Sequence, residues 1–304
     1  MSTKFYSNGK LLLSGEYLVL DGAMALSIPT KYGQSMTVEA AALGKIHWKS
    51  VDNNGMIWFE HTFNIHDIEG TKNFTKTPKS TTETLLKILQ NAKKLNSNFL
   101  NKDCGWNITT NLNFPQNWGL GTSSTLINNI AQWAQVNAFK LLETSFGGSG
   151  YDIAAAKNNT AILYRRGGTA PVVTPVEINW NFTNQLFFIH LNQKQNSKEG
   201  IAQYRKVNVS LVERNKISAI TNSLVACETL TAFEQLLEAH ETLISGILKI
   251  PTAKALLFND YPGAIKSLGA WGGDFIMVTA SRKELDYFRN KGYQTIIPFA
   301  EMML

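Results

Sequence analysis

Over the first 65 residues the apolar positions come in short runs and alternations, which is the spacing of strands. Residues 10–20, KLLLSGEYLVL, predict two short strands around a Ser-Gly turn. Asp21-Gly22 then reads as a hairpin signal. Residues 25–29 and 34–42 predict further strands, and 47–65 one or two more. Residues 70–82 are polar and basic and contain Pro, so they predict a surface loop. Beyond it the period changes. Leu85, Leu86, Leu89 and Ala92 share one face of a helix over 82–95. A strand is expected near 106–112, and a helix over 123–138 with Leu126, Ile130, Trp133 and Ala134 as its stripe. A short helix over 151–157 and a strand near 160–164 follow. Residues 185–191, QLFFIHL, read as a buried strand. Helical patterns cover 198–217, 218–247, 252–258 and 282–291, with strands near 275–280 and 295–298. Composition shifts near 165–184. The pattern predicts an α+β chain with two parts, about 1–180 and 181–304.

Composition narrows the function classes. The chain has 304 residues, 44% hydrophobic and 17% charged, which excludes a disordered polypeptide. The net charge of +6 suits an anionic ligand. The densest basic stretches, Lys72 to Lys79 and Arg205 to Lys216, are short and mixed with polar residues, so no nucleic-acid partner is expected. The two cysteines, Cys104 and Cys227, lie far apart and point to a reducing, cytoplasmic compartment. No segment has the length and apolarity of a signal peptide or a membrane span.

The most suggestive stretch is GLGTSS at 119–124, just before the helical pattern. Glycine lets the backbone approach an anion and turn its N–H groups toward it, and the helix behind adds the positive end of its dipole. The same residues also fit a plain turn with a Ser/Thr cap. Other motifs fail on inspection. No G-x-x-x-x-G-K-[ST] occurs, because Gly9-Lys10 is followed by Leu11 and Gly44-Lys45 by Ile46. The dinucleotide fingerprint fails at Ser124. The nucleophile elbow fails at Tyr151. His240-Glu241 lacks the second His of a zinc helix, and the other histidines are scattered.

Four stretches appear in order: NGKLLLSGEYLVLDG, GLGTSSTL, GGSGYDIAAA and LGAWGGDF. Together they resemble the GHMP kinase superfamily, over nearly the full chain. GEYLVL at 15–20 and GGDF at 272–275 lean toward the mevalonate and phosphomevalonate kinases, and GYDIAAA resembles the signature of one subgroup of the superfamily. The resemblance implies a two-lobed fold. A strand-rich N-terminal lobe (1–180) would carry the glycine-loop helix, and a ferredoxin-like lobe (181–304) would follow. It implies ATP and Mg²⁺ as cofactors, a small-molecule acceptor, no membrane or nucleic-acid partner, and a monomer or homodimer.

The resemblance also assigns roles. Asp152 stands where the family has its catalytic aspartate, suited to accept or orient the acceptor's hydroxyl proton. Lys10 stands at the first-motif lysine, suited to pair with Asp152 and to offset phosphoryl charge. Gly119, Leu120, Gly121, Thr122, Ser123 and Ser124 would seat the nucleotide phosphates. Ser123 would bind Mg²⁺, with Glu143 as the candidate carboxylate, a residue that equally reads as an exposed helical Glu. Glu16, Ser149, Gly150, Gly269 and Ala270 fall on the acceptor side, Glu16 equally suiting a structural role. The loop 194–198 stands where related kinases hold the acceptor or its phosphate, and it equally suits a polar surface loop. Two positions depart from the family: Trp271 replaces a glycine, and Leu268 replaces a Ser or Thr. An indole there suits a narrowed acceptor pocket, a stacking surface or core. Those departures leave room for a non-catalytic ligand sensor on the same fold, and a diphosphomevalonate decarboxylase-like enzyme is a third reading.

Overall fold

Residues 25 to 41 carry no residue that must end a strand, and they fold as one long strand rather than the two expected. Pro29 sits in it without breaking it. In the computed structural model the described residues are 2–42, 44–69, 80–101, 105–168, 170–193, 197–269, 271 and 273–304. The strands are β1 (Ser2–Ser14), β2 (Ala25–Ala41), β3 (Lys45–Val51), β4 (Ile57–Asn64), β5 (Gly105–Leu112), β6 (Ile162–Arg165), β7 (Val172–Pro175), β8 (Leu186–His190), β9 (Ile265–Ser267), β10 (Phe275–Thr279) and β11 (Ile296–Pro298). The surface loop expected over 70–82 lies largely outside the described residues.

The chain forms two compact units that interleave in sequence. One comprises Met1–Gly9, Tyr32–Gln116 and Gly121–Lys157; the other comprises Lys10–Lys31, Asn117–Leu120 and Asn158–Leu304. A cut at residue 180 does not reproduce them, because β1 and β2 each contribute residues to both units.

In the first unit β4, β3, β5 and the second half of β2 are neighbours in that order. β3 and β5 run parallel, and the other pairs run antiparallel. Helices Thr81–Leu95, Thr122–Ala134, Ala138–Ser145 and Tyr151–Lys157 belong to this unit. Its core gathers Trp48, Phe63, Leu89, Ile127, Ile130 and Leu141, all at most 2% exposed. The single helix expected over 123–138 is two. Gln135 turns left-handed (φ 54°) and closes the first, and the Asn137 side chain caps the second.

In the second unit the first half of β2 pairs with β6, and β6 with β7. A separate antiparallel sheet has the order β11-β8-β10-β9. One core cluster holds Phe187, Ile189, Ile276, Val278 and Phe288, and another holds Leu18, Tyr204, Ile217, Ile244 and Trp271. The two helices expected over 198–247 are three: Ser197–Tyr204, Leu211–Val225 and Leu230–Leu248. Caps at Ser210 and Thr229 set the breaks. The hairpin expected at Asp21-Gly22 is instead the end of a short 3₁₀ turn, Leu18–Asp21, with Gly22 left-handed after it.

Candidate active site

The glycine loop is held from its own side of the chain. Within the second unit the Lys10 backbone N–H donates to the Leu120 carbonyl at 3.0 Å. The Lys10 ammonium donates to the Gly119 carbonyl at 3.1 Å. His190 Nε2 lies 3.2 Å from the Asn117 carbonyl, and Trp118 packs edge-on against Phe275. At Gly119 any side chain would be strained. Its φ is +66°, and a Cβ there would stand 2.3 Å from the Asp274 carboxylate. Nothing in the linear sequence places Asp274 against this loop.

From Gly121 the chain enters the first unit. Gly121 is left-handed (φ 93°) and caps Thr122–Ala134 without any side-chain bond. The helices Thr81–Leu95, Ala138–Ser145, Leu211–Val225 and Leu230–Leu248 all take a cap from a Ser, Asn or Thr side chain. The first-turn amides and the dipole of Thr122–Ala134 are therefore met by no capping oxygen, which is the arrangement that receives an anion. The hydroxyls then divide. Ser123 is exposed and Thr122 half-buried, whereas Ser124 is buried and donates to the Gly121 carbonyl at 2.8 Å. Thr125 donates to Gln34 Oε1 at 3.0 Å. Below it Asn128 donates to Ser7, Ser7 to Asn129, and Asn129 to the Gln34 carbonyl. This buried polar seam fixes the helix on the strands beneath it.

Helix Tyr151–Lys157 packs on Thr122–Ala134 in the same unit. Asp152 stands half-buried in its first turn, and its Oδ1 accepts the Ile153 N–H at 3.0 Å. Gly150 is buried and left-handed (φ 88°), and its carbonyl accepts the Ala154 N–H. Ser149 is half-buried, and Glu143 is exposed on Ala138–Ser145. The first unit thus puts Ser123 and Asp152 in the first turns of two helices packed on each other. Lys10 belongs to the second unit.

Glu16, read as structural or acceptor-side, is buried among charged partners. It is 1% exposed and pairs with the wholly buried Lys266, which also lies 3.2 Å from Glu241. His240 Nε2 lies 3.2 Å from Glu16 Oε2 and accepts the Gly15 N–H at 3.1 Å. Ser267 donates to the second Glu241 oxygen at 2.9 Å. Burial pushes the Glu16 carboxyl upward, but the charge and hydrogen bond of Lys266 outweigh it and hold Glu16 down to about 2. Burial likewise works against charge on Lys266, and Glu16 and Glu241 reverse it, so its pKa is raised. The sequence offered His240 and Glu241 only as a failed zinc motif, and it did not mark Lys266 at all.

The third motif turns inward. Trp271 is 6% exposed among Leu18, Leu20, Tyr204, Ile217 and Ile244, so its indole is core. Leu268 is buried. Gly269 is left-handed (φ 67°) with open space where a Cβ would stand. Ala270 and the loop residues 194–196 lie outside the described residues.

Two outcomes follow from this geometry. Glu16 titrates near 4.5 unfolded and about 2 folded, so its contribution is complete above about pH 4.5 and is lost as the pH falls toward 2. Urea unfolding between pH 6 and 3 will show a steep loss of stability, about 2 kcal/mol of it from this group. In Glu16→Gln the acid limb will be shallower. Gly119→Ala will lower stability by about 1–3 kcal/mol, read from urea midpoints. Gly147→Ala, also at positive φ (72°) but with open space around it, will cost less.

No protein-family model matches this sequence, and no curated protein matches it. Solved structures do. The Methanococcus jannaschii mevalonate kinase is 14% identical at a TM-score of 0.71, covering 98% of this chain and 97% of its own. The Lactococcus lactis galactokinase complexed with galactose is 14% identical at 0.72, covering 100% and 93%. The Streptococcus pneumoniae phosphomevalonate kinase in complex with phosphomevalonate and AMPPNP is 15% identical at 0.69, covering 97% and 99%. These likenesses run the length of both chains, and the fold of this protein is the GHMP kinase fold.

Proposed function

We propose that the protein is an ATP-dependent small-molecule kinase of the GHMP superfamily, transferring the γ-phosphoryl group of ATP to a hydroxyl or phosphate of a metabolite. The observation that carries this reading is the glycine-capped start of Thr122–Ala134, with no side-chain cap and an exposed Ser123, packed against the helix that holds Asp152 in its first turn. Phosphoryl transfer asks mainly for positioning and charge stabilisation, and these groups supply both. The first-turn amides and Thr122 hold phosphate oxygens. Asp152 accepts or orients the acceptor's hydroxyl proton. Lys10, which fixes the loop through the Gly119 carbonyl, offsets phosphoryl charge. Ser149, Gly150 and Gly269 take the acceptor side.

The donor set suits Mg²⁺. Ser123 and Glu143 are hard oxygen donors, both exposed, and Mg²⁺ needs few protein ligands when phosphates supply the rest. Once bound, the ion neutralises charge on the phosphates. Mevalonate or 5-phosphomevalonate is the acceptor we favour, on the GEYLVL and GGDF stretches and on the likeness to a kinase solved with phosphomevalonate and AMPPNP. Trp271 packs in core with Leu18, Tyr204 and Ile217, which supports reading the indole as packing rather than as an altered acceptor pocket.

The test is a coupled assay for ADP release with ATP, Mg²⁺ and a panel of acceptors: mevalonate, 5-phosphomevalonate, galactose and homoserine. Turnover is expected with one of the first two. Asp152→Asn will lower kcat by roughly 10²–10⁴-fold while the thermal melt is retained. ATP binding without ADP release from any acceptor would replace the kinase by a sensor. Carbon dioxide release with 5-diphosphomevalonate would replace it by a decarboxylase.

A further inference from the structure

Away from the residues assigned above, an unusual concentration of charge surrounds one turn of the second unit, Leu20-Asp21-Gly22. Four guanidinium groups reach it. Arg166 Nη1 donates to the Leu20 carbonyl at 3.1 Å and Arg214 Nη1 to the Asp21 carbonyl at 2.9 Å. Arg165 Nε donates to the Gly22 carbonyl at 3.3 Å, and Arg205 Nη1 to Asp21 Oδ1 at 3.2 Å. The Tyr204 hydroxyl donates to the other Asp21 oxygen. Burial and the neighbouring Asp21 both push the Tyr204 phenol upward, so it stays a donor. Four positive charges therefore meet one carboxylate at this turn. Backbone carbonyls do not need such a surplus, since any N–H or water would satisfy them.

The turn borders a cavity of about 350 Å³ walled by Asp21, Tyr204, Arg205, Asn208 and Arg214, with Val207 and Val209 as its apolar part. Each arginine carries five donors in a planar fork. Arg205 uses one on Asp21 and is half exposed. Arg214 uses one on the Asp21 carbonyl, and its Nε is buried without a hydrogen-bond partner among the described residues. A buried guanidinium N–H left unpaired is costly, and an oxygen from a ligand would pair it.

We propose that this pocket binds a small phosphomonoester, with its phosphate dianion across Arg205 and Arg214 and its carbon body against Val207 and Val209. Two forked guanidinium groups match the geometry and double charge of a phosphate better than a single carboxylate does. The valines favour an ester over the free ion. The site shares no residue with the glycine loop, Lys10 or Asp152, and it stands whether or not the chain is a kinase.

The glycine loop would also take a phosphate, so the test must read the site itself. Phenylglyoxal modification of the full chain, mapped by mass spectrometry, reports each arginine separately. Glycerol 3-phosphate is expected to slow modification of Arg205 and Arg214 far more than that of Arg282 and Arg289, and inorganic phosphate to do so less. Potassium chloride at matched ionic strength should protect none of them. By calorimetry the Arg205→Gln variant, an exposed substitution that keeps the melt, will lose about tenfold in glycerol 3-phosphate affinity for this site. Unchanged modification of Arg205 and Arg214 in glycerol 3-phosphate would overturn the site. So would protection no greater than at Arg289. Equal protection by inorganic phosphate would overturn the ester and leave a free-phosphate pocket.

Discussion

A single ammonium group, that of Lys266, holds together three segments that are far apart in sequence. It joins Glu16 in the turn after β1 to Glu241 in helix Leu230–Leu248, from its own place in β9. All three side chains are buried, so the arrangement is not a stability device in the ordinary sense. Desolvation of two carboxylates and an ammonium consumes most of what their attraction gains. What such a cluster fixes is geometry, because an uncompensated charge in the interior is far worse than any displaced but paired arrangement. The turn that follows Glu16 is thereby committed to one conformation. Tyr17 is forced to φ 60°, and its ring is laid on Tyr204.

The glycine loop obeys the opposite logic. It is held through its backbone carbonyls, not by charge pairs, and the helix beyond it starts without a side-chain cap. Lys10 is central because it grips the loop twice, through its N–H and its ammonium. Gly119 leaves room for Asp274, and Gly121 enters the helix with no side chain to compete for the first amides. Ser124 and Thr125 spend their hydroxyls inside the protein, which leaves Ser123 as the exposed one. An uncapped helix start suits an anion of any kind and carries nothing that would recognise one metabolite. That is why a fold shared with mevalonate, galactose and phosphomevalonate kinases does not by itself choose an acceptor.

Much of this was legible in the chain itself. Strands and helices followed the change of apolar period, and β5, β8, β10 and the helices Thr81–Leu95 and Tyr151–Lys157 fall within a residue or two of the reading. The misreadings have local causes. Residues 123–138 look like one helix because apolar periodicity continues across Gln135, and only its left-handed backbone breaks it. Asp21-Gly22 has hairpin chemistry but ends a 3₁₀ turn, since four arginines and a tyrosine bind that turn from elsewhere in the chain.

The sequence by itself determined the α+β class, the glycine loop ahead of its helix and the ordered motifs, because each is written in neighbouring residues. Only the tertiary structure decided that Glu16 is a buried partner of Lys266, that Trp271 is core, that Asp274 abuts Gly119, and that four arginines converge on the turn Leu20-Asp21-Gly22. Those facts depend on which distant segments share space. A charge next to an apolar run reads the same whether it ends in water or in the interior, and only packing distinguishes the two.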